Sequence, residues 1–128
     1  MPRCFAVLVL VLLGLLIPSG CGRKAPAAAD QTYTVRGVVE DLPGPKAALS
    51  VHHEAIPNFV GRDGRVTGMR EMIMEFPDVA PKVSLDALRV GDPIEMTLEI
   101  RWNSDPRMLV TSLKKLPVDA KLNLTPPE

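Results

Sequence analysis

Cysteine is almost missing from this 128-residue chain: the two present are Cys4 and Cys21, so from residue 22 onward neither a disulfide framework nor a thiolate site can be built. An excess of one charge is missing too. Fifteen basic residues balance fifteen acidic ones, and no basic patch calls for nucleic acid. The signatures of catalysis are also absent. There is no Ser-His-Asp order, metalloprotease helix, Gly-rich phosphate loop or pair of carboxylates in an apolar setting, and the sequence reads as a non-enzyme.

What is there begins with Arg3 and the apolar run Cys4 to Ile17. It is shorter than the roughly 20 residues that span a hydrocarbon core, but it has the length of a signal-peptide h-region. Pro18-Ser19-Gly20-Cys21 ends it with small residues before a cysteine, which resembles a lipoprotein cleavage site, although Pro18 stands where that pattern prefers Leu. The expected organisation is a lipoprotein-type signal peptide over 1–20 and a flexible tether over 21–31 with Cys21 as the lipidated residue. A folded domain over 32–118 and a flexible tail over 119–128 follow. Attachment is then by lipid alone, on the periplasmic side of a bacterial envelope. Gly22 stands where inner-membrane retention uses Asp, which favours the outer membrane. Loss of Arg3 with the leader leaves 14 basic against 15 acidic residues in the mature chain. Roughly one hundred residues suit one small domain.

Short extended segments separated by turn signals argue for an all-β fold. Strands are expected at Tyr33 to Leu42, Leu49 to His53, Met69 to Phe76, Ile94 to Trp102 and Met108 to Leu116. Pro43-Gly44-Pro45 breaks the first from the second, and a long loop over 54–68 carries Pro57-Asn58, Gly61, Asp63-Gly64 and Gly68. Ser84 to Leu88 is expected to form one helical turn. Five strands in this order predict a small five-stranded OB-like barrel, preceded by the signal peptide and tether.

Period-two alternation sets Leu49, Val51 and His53 on one face of the second strand, with Ser50 and His52 on the other. It likewise aligns Met72, Met74 and Phe76 on the third. Methionine at strand spacing is ordinarily core filling, as expected of Met96 and Met108. A buried imidazole near two thioethers makes a different set: soft, neutral donors that suit Cu(I) or Ag(I) far better than Mg or Ca. His52 reads as a solvated neighbour or a transfer ligand. Glu54 and Glu71 read as solvated charges or as acceptors that orient an imidazole.

Leu49-Ser50-Val51-His52-His53-Glu54, Glu71-Met72-Ile73-Met74-Glu75-Phe76, Leu88-Arg89-Val90-Gly91-Asp92-Pro93-Ile94-Glu95 and Leu113-Lys114-Lys115-Leu116, in that order, resemble the CusF-like family of periplasmic copper- and silver-binding domains. His53-Glu54-Ala55-Ile56-Pro57 resembles family members found beside copper-delivery proteins of oxidase assembly. The resemblance implies that His53, Met72 and Met74 form a three-coordinate site for transiently bound Cu(I) or Ag(I). It also implies that Met69 stands where the best-known members place a metal-covering Trp, as a fourth ligand or as packing. The implied function is a copper carrier that serves an efflux component or an oxidase copper-delivery protein. The alternative is a metal-free OB-like adaptor that binds an envelope protein.

Overall fold

The computed structural model describes residues 28–126. The leader, the lipidated Cys21 and the tether up to residue 27 lie outside the described residues. Five strands follow in chain order: β1 (Gln31–Asp41), β2 (Leu49–His53), β3 (Met72–Phe76), β4 (Pro93–Ile100) and β5 (Met108–Lys115). They form a single antiparallel sheet in the order β3-β2-β1-β4-β5.

Alternation decides which face each strand buries. Ile94, Met96, Leu98 and Ile100 of β4 are buried, while Glu95, Thr97 and Glu99 between them stay half-exposed. Tyr33, Val35, Gly37 and Val39 of β1 behave the same way, and with Leu49, Val51, Phe76 and Val110 they build one core. Met96 is buried and Met108 packs partly buried against that core, as expected for ordinary filling.

The fold is OB-like, but the sheet does not close. Among the described residues the backbone link between the chain past β3 and β5 is a parallel bridge, Val79 to Val110, in which the Val110 N–H donates to Asp78 O at 3.0 Å and the Ala80 N–H donates to Val110 O at 2.8 Å. Among the described residues no further backbone bond extends this bridge on either side. Two local expectations also change. Ser84 to Leu88 is a turn rather than a helix, closed by Leu88 N–H to Leu85 O at 3.0 Å. Strand β3 begins at Met72 instead of Met69, because Arg70 and Glu71 leave the ladder.

The loop between β2 and β3 is built, not slack. Ile56 and Met69 exchange both backbone hydrogen bonds, at 2.8 and 2.9 Å, and Val60 bridges Val66. Phe59 anchors the loop in the core, stacked on Tyr33 with ring centroids 5.3 Å apart, and the Val60 N–H donates to the Tyr33 hydroxyl at 2.8 Å. Gly68 turns the chain back with φ +65°. A side chain there would press on the Pro57 carbonyl oxygen at 3.3 Å as well as adopt a disfavoured backbone.

At the other end of the sheet, the Lys115 ammonium (2.9 Å) and the Arg89 N–H (2.8 Å) both meet Asp92 Oδ2 and hold its carboxyl below the usual value of 3.8. A lowered folded-state value means that the contact contributes fully above the ordinary carboxylate range and is lost as pH falls through it. The Tm profile of Asp92→Asn is therefore expected to be flatter than that of the parent below about pH 4. Coincident profiles in a thermal-denaturation series would show that the contact contributes nothing.

Candidate metal site

The β2–β3 register brings the candidate residues onto one face. Directly opposed residues of an antiparallel pair share a side of the sheet, and the pairs are Leu49 with Phe76, Val51 with Met74 and His53 with Met72. His53, Met72 and Met74 therefore lie together on the core-facing side, at the end of the hairpin where the loop departs. Opposed Cβ atoms sit about 4.5–5.5 Å apart and diagonal neighbours about 7–8 Å, within reach of long side chains. The three differ in burial: His53 is 1% exposed, Met74 packs partly buried against the core, and Met72 is 46% exposed. The set thus runs from core to solvent, with the imidazole innermost.

His53 is fixed by its own neighbourhood. Its Nδ1 lies 2.7 Å from the Glu54 carbonyl oxygen. A carbonyl only accepts, so Nδ1 carries the proton and donates, which leaves the lone pair on Nε2. Nε2 is buried without a hydrogen-bond partner among the described residues. A buried, unsatisfied acceptor costs about 1–3 kcal/mol, and such groups cluster where function uses them. An imidazole whose far N–H is held by a carbonyl and whose free nitrogen is dehydrated has the form of a metal ligand. Phe76 stands edge-on to the ring, with centroids 6.4 Å apart at 67°, and Met74 is the β3 residue between Phe76 and Met72 on this face.

Met69 lies outside β3, partly buried, and bridges the buried Ile56 across the base of the loop. An open pocket of about 550 Å³ runs along Thr67, Gly68, Met69, Arg70, Glu71 and Met72, beside both thioethers. Trp102 is elsewhere: it meets Phe59 edge-on at 6.3 Å and donates its indole N–H to Gln31 Oε1 at 3.1 Å. Among the described residues no three His, Cys, Asp or Glu side chains gather to hold a metal, so a three-ligand site here has to draw on methionine sulfur.

His52, Glu54 and Glu71 belong to the opposite face. His52 Nε2 is 3.1 Å from Glu71 Oε1, and its Nδ1 is 3.9 Å from Glu40 Oε1. Glu54 takes a bidentate pair from Arg36, Nε at 3.2 Å and Nη2 at 3.0 Å. The Thr125 N–H holds the Glu71 carboxyl below its ordinary value; the Thr125 hydroxyl and His52 act in the same direction and burial opposes them. Neither carboxylate is free. The Glu54 side chain does not orient His53; its backbone carbonyl does.

Gly37 is the residue that sequence reasoning missed. It pairs with His53 on one side and Ile94 on the other. A Cβ at this position would meet the His52 carbonyl oxygen, Val51 Cγ1 at 2.7 Å and His53 Cα at 2.9 Å. The signal was available, because an isolated glycine inside a strand marks a close backbone approach.

No protein-family model and no curated protein matches the sequence. The architecture is that of a small OB-like domain with five antiparallel strands. It is CusF-like: apo-CusF residues 6-88 from Escherichia coli superimposes with a TM-score of 0.52 at 19% identity, covering 74% of this chain and 98% of that chain. CusF-Ag(I) residues 10-88 from Escherichia coli gives 0.52 at 20% identity, covering 70% of this chain and 98% of that one. At this level of identity the likeness establishes the fold.

Proposed function

We propose that this protein is a carrier, not an enzyme, that captures Cu(I) or Ag(I) through His53 Nε2 and the thioethers of Met72 and Met74 and passes the ion to a partner on the periplasmic side of the envelope. The observation that carries this reading is the buried, unpartnered Nε2 of His53 on the same face as two methionines. The CusF-like fold supports it, since one of the similar structures is a silver complex. Neutral donors leave the bound site with a single positive charge. They also resist the oxidising compartment that would trap thiols; methionine sulfoxide formation is their weakness. Met69, on the loop beside Met72, would add a third sulfur as the fourth ligand. Anchoring through lipid on Cys21 holds the carrier at the membrane, where an efflux component or an oxidase copper-delivery protein could receive the ion.

Protons compete with metal for Nε2, so affinity is expected to fall as the solution is acidified. The direct test is titration with Cu(I) against a chromophoric competitor. One-to-one binding is expected, weakened at least about 100-fold by Met72→Leu combined with Met74→Leu, because two of three ligands are lost. These swaps nearly conserve volume and cost under about 1.5 kcal/mol each. Weak binding that the double substitution leaves unaltered would favour the metal-free adaptor instead.

A further inference from the structure

The C-terminal segment, expected as a flexible tail, makes specific contacts. The Asn123 N–H donates to Glu54 Oε1 at 2.7 Å and the Thr125 N–H donates to Glu71 Oε1 at 2.7 Å, with the Thr125 hydroxyl 3.3 Å from Glu71 Oε2. Leu122 and Leu124 are half-buried while Asn123 and Thr125 are exposed, the alternation of an extended segment whose every second amide points the same way. The two acceptors occupy matching places. Glu54 is the residue after His53 at the end of β2, and Glu71 is the residue before Met72 at the start of β3. Their carboxylates pair with Arg36 and His52 on the face opposite the candidate ligands, so the segment crosses behind the site and leaves its open side clear.

We infer that residues 119–126 form a clamp that holds His53 and Met72 at their ligating separation and thereby sets how fast the site releases metal. This rests on the carrier reading above. Among the described residues β3 is an edge strand, supported by a ladder to β2 alone. That ladder ends at the His53–Met72 pair, and the next pairing along the chain is Ile56 with Met69. The gap between the two is where the strands can part, and there the clamp joins one strand end to the other through two charge-assisted hydrogen bonds. Parting the ends moves Met72 away from His53, which is the motion that frees a two- or three-coordinate ion. Arg36 is a positioning residue in the same arrangement. It holds Glu54, whose carbonyl in turn holds the His53 ring.

The test removes the two amide donors without touching the site, by Asn123→Pro with Thr125→Pro in the full chain, since proline has no N–H. Asn123→Ala with Thr125→Ala keeps both amide donors and removes the side-chain groups, the Thr125 hydroxyl included, and serves as the control. Each protein is loaded with Ag(I), and release to an excess of chromophoric chelator is timed by stopped flow. The proline variant is expected to bind one Ag(I) and release it about three- to tenfold faster than the parent, while the control matches the parent. Equal rates in parent and proline variant would overturn the clamp and leave the carrier intact. A parent that binds no Ag(I) would overturn the carrier, and the clamp with it. Slower or faster release by the control as well as the proline variant would assign the effect to side chains and overturn the backbone clamp.

Discussion

His53→Leu is expected to weaken Cu(I) binding by at least about 100-fold, since even the partners that merely orient a ligand are worth 10–100-fold. Stability is expected to stay within about 1.5 kcal/mol of the parent. Two opposing effects set the second figure. The substitution removes a buried nitrogen that has no partner, which favours folding, and it strips the Glu54 carbonyl of the Nδ1–H it accepts at 2.7 Å, which opposes it. A histidine kept for structure gives the reverse pattern, with a clear loss of Tm and no change in metal affinity. Competition titration and calorimetric melting of the same variant separate the two. A variant that keeps parental affinity removes His53 from the ligand set.

Gly37→Ala is expected to be the most damaging single methyl added to the domain. The new Cβ would enter the space held by the His52 carbonyl oxygen, Val51 Cγ1 and His53 Cα. Two of these are backbone atoms of a strand locked into ladders on both sides, and backbone cannot rotate away as a side-chain end can. Overpacking usually costs about 1–3 kcal/mol, and this site belongs at the upper end. With about 4–8 °C of Tm per kcal/mol for a domain of this size, a fall of at least about 10 °C is expected. Metal affinity falls with it, because the strand pushed aside carries His53. A Tm within about 2 °C of the parent would show that β1 and β2 are not so closely apposed.

Much of the site was legible because strands alternate. The bounds of β2 match the expected Leu49 to His53, and the inward setting of His53 follows from the apolar stripe it extends. The common face of Met72 and Met74 follows from their spacing, and their alignment with His53 from the register of an antiparallel hairpin. Other features lay beyond local pattern. Met69 was expected to open the third strand. The chain leaves the ladder at Arg70 and Glu71, and Met69 pairs with Ile56 of the loop instead. Closure was expected because five short strands commonly form a barrel, whereas among the described residues the chain past β3 meets β5 at one parallel bridge. The bonds from Asn123 and Thr125 to Glu54 and Glu71 join residues 69 and 54 positions apart. Backbone amides have no sequence signature, so only the folded chain reveals them.

The central claim is that nitrogen and methionine sulfur together hold a monovalent soft ion. X-ray absorption at the copper edge of the Cu(I)-loaded protein tests it most directly. The expected spectrum shows a low coordination number, one imidazole nitrogen and at least two sulfur scatterers. A first shell of nitrogen and oxygen alone, with no sulfur, would contradict it.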